Sequence, residues 1–292
     1  MNMTPNVQIK KKKVGLAISG GWIRAISAIG VIQVLEENNV PIDLVSGCSA
    51  GGGVAAAYAA GSLEEFRNRF RKGSWKDYWR IIFEPTLPKE GLLRGRRTRE
   101  FFKEFFGQKD FSDLDKKLFI AVTDLNSLSP VIIEDGNIVE AVQASVSIPG
   151  MFVPVKNEDK IFADGGNFNL IPSEILYQRG AEYVIATDLT QSPNIFNKTL
   201  GSIKKTFGYK QKSFEIGAGK NPNILRLIWR AANLSSTKIE NFYPQNYHYD
   251  IVIRPNISSV KRWHIGKIDF LIQQGRQAAL RSLNRIKKDL EI

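Results

Sequence analysis

The chain reads as an α/β protein: three layers, with a mostly parallel central sheet and helices on both faces. Three observations carry that expectation. Short apolar strands alternate with helical stretches along most of the length, the pattern that builds parallel sheets. The 292 residues are 43% hydrophobic, enough for the core of one large domain. No internal repeat, low-complexity tract or convincing domain boundary interrupts the pattern. Residues 1–13 read as a polar, basic leader closing in Lys10-Lys11-Lys12-Lys13, and residues 14–292 as a single domain.

Residues 14–19, apolar up to Ser19, read as a buried strand. Residues 23–37 follow as a helix with apolar positions on several sides, ended by Asn38-Asn39 and Pro41. A second strand is expected over residues 40–45, and a small-residue helix over 52–60 that Gly61 stops. Residues 118–122, 131–133, 161–163, 183–186 and 251–253 read as further strands. Helices are expected over 138–145 and, at the end of the chain, 265–288. Gln191 to Asn221 is polar, Lys-rich and Gly-containing, and is the best candidate for a mobile loop.

The formal charge is +12, from 41 Lys and Arg against 29 Asp and Glu. Such a balance favours a polyanionic partner, either nucleic acid or an anionic membrane surface. Cys48 is the single cysteine, so no disulfide can form within the chain. No apolar run approaches the roughly 20 residues of a membrane span, and no signal-peptide pattern follows the basic start. A cytoplasmic protein is expected, with peripheral membrane contact compatible with its charge.

Gly47-Cys48-Ser49-Ala50-Gly51 reads G-x-S-x-G between a strand and a helix. A serine on so tight a turn projects its hydroxyl out of the sheet, and small neighbours relieve the crowding. A plain small-residue turn reads the same way. The first strand runs into Gly20-Gly21-Trp22-Ile23-Arg24 at a helix start, where unpaired N–H groups make an anion site for a phosphate or an oxyanion. This loop matches neither G-x-G-x-x-G nor G-x-x-x-x-G-K-[ST]; only Asp43 near the second strand keeps a dinucleotide reading open.

A serine nucleophile needs a base. The two histidines, His248 and His264, come late and would permit a Ser-Asp-His order, but neither lies in a Gly- or turn-rich loop. Asp164 ends a short strand and precedes Gly165-Gly166. That is the strand end where sites of parallel sheets gather, although Asp-Gly-Gly also suits a hairpin turn.

Taken in order, residues 15–24, Gly47-Cys48-Ser49-Ala50-Gly51 and Asp164-Gly165-Gly166 resemble the patatin-like phospholipases. Residues 144–155 (Ala-Ser-Val-Ser-Ile-Pro-Gly-Met-Phe-Val-Pro-Val), Asn169, Pro172 and the strand region from Asp250 to Pro255 add to the likeness. The resemblance implies a patatin-like fold and a Ser-Asp dyad, with Ser49 as nucleophile and Asp164 as base. Gly20, Gly21 and Trp22 would line the oxyanion hole through backbone N–H groups, with Arg24 nearby. It also implies acyl transfer on phospholipid, lysophospholipid or a related lipid ester, with no cofactor and no metal. The family usually has glycine where this chain has Trp22 and Ala25, and many members carry Thr where it has Cys48. The alternative is a catalytically weak or inactive lipid- or membrane-binding relative, in which Trp22 distorts or blocks the site.

Phe66, Phe70, Trp75, Tyr78, Trp79, Ile82 and Phe83 interleave with Arg67, Arg69, Arg71, Lys72, Lys76 and Arg80. The pattern suits a lipid interface; it also suits an amphipathic helix on the core with a solvated basic face. Residues 91–99 form a second basic cluster, either at the site mouth or at the start of the next helix. No nucleic-acid motif accompanies these cations, and no nucleic-acid partner is expected.

Overall fold

The structure is a computed structural model that describes residues 11–87, 91–190, 247–261 and 264–292. The loop expected over Gln191 to Asn221 lies outside the described residues, as does most of the basic leader.

Among the described residues eight strands form one mixed sheet, in the order β5-β6-β3-β2-β1-β7-β8 with β4 also paired to β3. β1 (Val14–Ile18), β2 (Leu44–Cys48), β3 (Lys117–Asp124), β7 (Tyr183–Thr187) and β8 (Ile251–Ile253) are mutually parallel. β4 (Ser129–Ile133), β5 (Val155–Asn157) and β6 (Lys160–Asp164) pair antiparallel. The sheet is thus mostly parallel, as expected.

Strand alternation divides the core. Val14, Leu16 and Ile18 of β1, with Tyr183 and Ile185 of β7, face one apolar cluster. Ala17, Val184 and Ala186 face the other. Helices α1 (Ser27–Glu37), α2 (Ala50–Ala59), α3 (Leu63–Lys72), α5 (Arg96–Phe106), α6 (Ile138–Val146) and α8 (Ile268–Leu290) contribute to the first. The short α7 (Glu174–Gln178) covers the second through Ile175 and Leu176, joined by Tyr247 and Tyr249. α4 (Trp75–Ile82) lies beyond α3, started by a capping box in which Ser74 and Asp77 exchange hydrogen bonds.

α1 and α8 lie unusually close. A Cβ on Gly30 would sit 2.0 Å from the Ile272 carbonyl oxygen, and one on Gly275 would sit 1.8 Å from that of Ser27. These two glycines let the backbones touch and bury the long final helix against the first.

Several boundaries differ from the sequence expectation. Residues Trp22–Ile26 form a 3-10 turn before α1 begins at Ser27. The second strand starts at Leu44 rather than Val40, because Asp43 is spent on β1: its carboxylate accepts the Val14 N–H at 2.7 Å. That also places Asp43 at the N-terminal end of β2, opposite the end that carries Ser49, so the dinucleotide reading lapses. Asp164-Gly165-Gly166 is no hairpin: β6 ends in a 3-10 turn over Gly165–Asn167. Residues 91–99 lead into α5, with Arg96 and the Arg97 N–H held on Glu84.

Candidate active site

Sheet register brings the site together. β4 pairs with residues 120–124 of β3, overlapping both of its other partners, so it occupies one edge. The other edge is shared: β2 pairs in parallel with residues 117–121, and β6 antiparallel with residues 122–124. Cys48 therefore stands opposite Ala121 and Asp164 opposite Val122, the next residue along. Two strands running in opposite directions meet end to end, and the residues at their tips face one another.

At that meeting the Ser49 hydroxyl donates to Asp164 Oδ2 at 2.6 Å. Ser49 has φ 53° and ψ −134°, a conformation that L residues rarely adopt, and α2 begins at the next residue. The flanking glycines permit the turn: a Cβ on Gly47 would lie 2.6 Å from Gly52 Cα, and one on Gly51 would lie 2.3 Å from Ser19 O. The Ser49 N–H donates to Ser145 Oγ at 2.8 Å, and the Ser145 hydroxyl donates to Ala121 O at 2.7 Å.

Asp164 is held at every polar atom. Its Oδ1 accepts the Gly166 N–H at 2.8 Å, and the Cys48 thiol lies 4.0 Å away. Its own N–H donates to Ser147 O at 2.9 Å, and its carbonyl accepts the Thr123 hydroxyl at 3.0 Å. The residue is buried, 8% exposed. Burial pushes its pKa up to about 6, against the lowering pull of the hydrogen bonds from Ser49 and Gly166. Burial, reinforced by the Asp164 charge, raises the Cys48 thiol well above its ordinary range, so it stays a neutral, buried side chain.

The glycine loop after β1 lies beside the serine: a Cβ on Gly20 would come within 3.2 Å of Ser49 Cβ. Two expectations for this loop are corrected. The Gly20 N–H already donates to Leu170 O at 3.2 Å, so it is not a spare donor. Arg24, 5% exposed, directs its guanidinium to three carbonyls instead: Val260 O at 2.8 Å, Thr190 O at 2.8 Å and Ser258 O at 3.2 Å. It ties the loop to the chain beyond β7 and β8. Among the described residues, the N–H groups of Gly21 and Trp22 have no acceptor. Trp22 stands at φ 55°, the left-handed region where the family pattern places glycine.

A cavity of about 200 Å³ is lined by Ser49, Trp22, Val54, Phe66, Phe70, Phe101, Phe102 and Met151, with Tyr78, Trp79 and Ile82 of α4. The wall is almost wholly apolar. The amphipathic reading of residues 66–83 thus holds for their inner face: Phe66 and Tyr78 are buried, and Phe66, Phe70, Phe101 and Phe105 form a ring cluster. Both histidines are exposed; His248 stands edge-on to Tyr177 at 6.2 Å, and His264 precedes a 3-10 turn ahead of α8. Among the described residues neither histidine hydrogen-bonds to Ser49 or Asp164. Among the described residues no group of three or more His, Cys, Asp or Glu could hold a metal ion.

Sequence reading missed Ser145, Ser147 and Thr123. The stretch containing Ser145 and Ser147 stood out as characteristic, but its spacing carried no role. The structure supplies one: a single turn at the end of α6 holds the Ser49 backbone through one serine and the Asp164 backbone through the next but one.

The fold is α/β, and it brings a serine on a strand-to-helix turn against a buried aspartate. The chain belongs to the patatin-like phospholipase family, whose sequence model matches residues 16–177. Similar proteins include Lysophospholipase NTE1 of Lodderomyces elongisporus, 27% identical over 91% of this chain and 19% of that protein. Another is Patatin-like phospholipase domain-containing protein 6 of Mus musculus, 28% identical over 90% of this chain and 20% of that protein. An uncharacterized NTE family protein of Mycobacterium tuberculosis is 29% identical, over 94% of this chain and 47% of its own length. The chain thus spans from a fifth to about half of the relatives it matches. Among solved structures, VipD from Legionella pneumophila aligns with a TM-score of 0.45 at 16% identity, covering 94% of this chain and 67% of that one.

Proposed function

We propose that this chain hydrolyses carboxylic esters of phospholipids, lysophospholipids or related lipids through a Ser49–Asp164 dyad and an acyl-enzyme intermediate. The carrying observation is the 2.6 Å hydrogen bond from the Ser49 hydroxyl to a buried carboxylate, with Ser49 lining an apolar cavity. The acyl chain lies in the cavity, with the ester carbonyl at Ser49. Asp164 takes the Ser49 proton as Oγ attacks the carbonyl carbon. The resulting oxyanion is held by the N–H groups of Gly21 and Trp22. Asp164 then returns the proton to the leaving alcohol. Water, deprotonated by the same carboxylate, releases the fatty acid. The protein would work in the cytoplasm and meet membranes peripherally; among the described residues no helix is long and apolar enough to cross one. The names of the curated relatives, lysophospholipase among them, support the substrate class.

A second reading has one observation in its favour, the positive φ of Trp22. In it the strained loop cannot present its donors, and the chain binds lipid without turning it over. A fluorophosphonate probe separates the two. Labelling of the wild type that vanishes in Ser49→Ala, with loss of short-chain ester hydrolysis in Ser49→Ala and Asp164→Asn, is the expected result. A folded wild type that neither labels nor hydrolyses would establish the binder.

A further inference from the structure

α4 presents two parallel rows to the outside. Trp75, Trp79 and Phe83 follow at steps of four, so they share one stripe of the helix and of its C-terminal cap. They are 61%, 46% and 54% exposed, and the rings of Trp79 and Phe83 meet edge to face. Leu87 and Leu92, on the segment after the helix, are also exposed. Lys76 and Arg80 form the adjacent stripe, again four residues apart. Both are exposed; Arg80 lies near enough to Asp77 to help hold its carboxyl low, and among the described residues neither cation forms a direct ion pair. Lys72, at the end of α3, and Arg94 are exposed as well. The acidic groups of this region are already engaged: Glu84 is buried against Arg96 and Arg97, and Asp77 caps the helix at Ser74.

Water does not favour this much exposed aromatic surface on a helix, and a packed core would not place lysine and arginine along its border. Rings at headgroup depth with cations against anionic phosphates satisfy both rows at once. The face is also continuous with the cavity, since Trp79 belongs to both. We propose that the outer face of α4 docks this protein onto an anionic bilayer, with Trp75, Trp79 and Phe83 immersed. The cavity then opens toward the lipid, and a lipid tail reaches Ser49 without crossing water. The proposal rests on the lipid-ester reading above but names its own surface and occupant.

The test uses the full chain with vesicles of phosphatidylglycerol or phosphatidylcholine, alongside a dissolved short-chain ester. Two double variants probe the rows without touching the cavity wall: Trp75→Ser with Phe83→Ser, and Lys72→Glu with Lys76→Glu. Wild type is expected to bind the anionic vesicles preferentially, with a blue shift in tryptophan emission. Each lost cation should weaken binding about fivefold, and charge reversal more. The aromatic pair should weaken binding to the same vesicles at least as far, while both variants keep wild-type turnover of the dissolved ester. Unchanged vesicle binding in both variants would overturn the proposal. So would equal wild-type binding to both lipids, or a dimer that Trp75→Ser with Phe83→Ser dissociates without affecting vesicle binding. If wild type binds anionic vesicles as described but hydrolyses no ester, the catalytic reading falls and the docking face stands.

Discussion

Ser145 holds the backbone of Ser49: its hydroxyl accepts the Ser49 N–H at 2.8 Å while donating to a carbonyl of β3. The residue is fully buried, so nothing else can take its place at that N–H. A serine held at positive φ needs such a tether, because its own helix leaves the first N–H groups without partners.

Replacing Ser145 with Ala orphans the Ser49 N–H. Stability is expected to fall by about 1–3 kcal/mol in urea unfolding. On the proposed mechanism the kcat for a short-chain ester should fall about 10- to 100-fold with KM little changed, since the Ser49 hydroxyl shifts while the cavity is untouched. Unchanged kcat would make Ser145 a packing residue only.

In the proposed mechanism Asp164 must be ionised to accept the Ser49 proton. With its pKa raised to about 6, kcat/KM should climb as pH rises through 6 and level off above it. The same shift has an energetic side. The folded carboxyl binds its proton more tightly than an unfolded one of ordinary pKa 3.8, so this group favours folding below pH 4 and loses that advantage as pH rises through 6. Asp164→Asn removes the penalty. It should be inactive yet more stable than wild type at pH 8, by on the order of 3 kcal/mol, with the gain vanishing near pH 4. Chemical denaturation at the two pH values measures it.

Trp22 combines a strained backbone with a wall of the cavity. Trp22→Gly relieves the backbone and loses the wall; Trp22→Ala loses the wall alone. The glycine variant should therefore be more stable than the alanine variant by about 1 kcal/mol. Both should show a higher KM for long-chain esters, whereas only the glycine variant should match or exceed wild-type kcat on short ones.

Arg24→Ala leaves three carbonyls of the loops after β7 and β8 without their shared donor. A loss of more than about 3 kcal/mol is expected, with Arg24→Lys recovering part of it, as read by thermal unfolding. Were Arg24 instead a direct contact for the oxyanion, Arg24→Lys would keep its stability and lose kcat.

The parallel core of this fold could be read from residues because its strands are near-continuous apolar runs and its elbow is marked by glycines. Ser49 and Asp164 could be named because each follows a strand and precedes small residues. What escaped was relational. The antiparallel direction of β6 depends on where it finds an unpaired edge, and nothing in Lys160–Asp164 records that. The hydrogen bond from Gly20 to Leu170 and the turn of Arg24 toward Val260 join segments 150 and 236 residues apart. Local pattern pointed to Gly20 and the family resemblance to Arg24 as oxyanion neighbours, and tertiary packing engaged them elsewhere. α7 is five residues long, too short for a helical period to show.

Ser49 and Asp164 lie 115 positions apart along the chain. They become neighbours only when β2 and β6 have each found adjacent stretches of one edge of β3. A slip of one residue in either strand would turn its side chains to the wrong face. Collapse and helix formation can precede such long-range pairing, but the pairing itself is slow. Catalytic competence is therefore expected to be a late arrival in refolding, trailing the recovery of helix, so that returning turnover times the closing of the sheet.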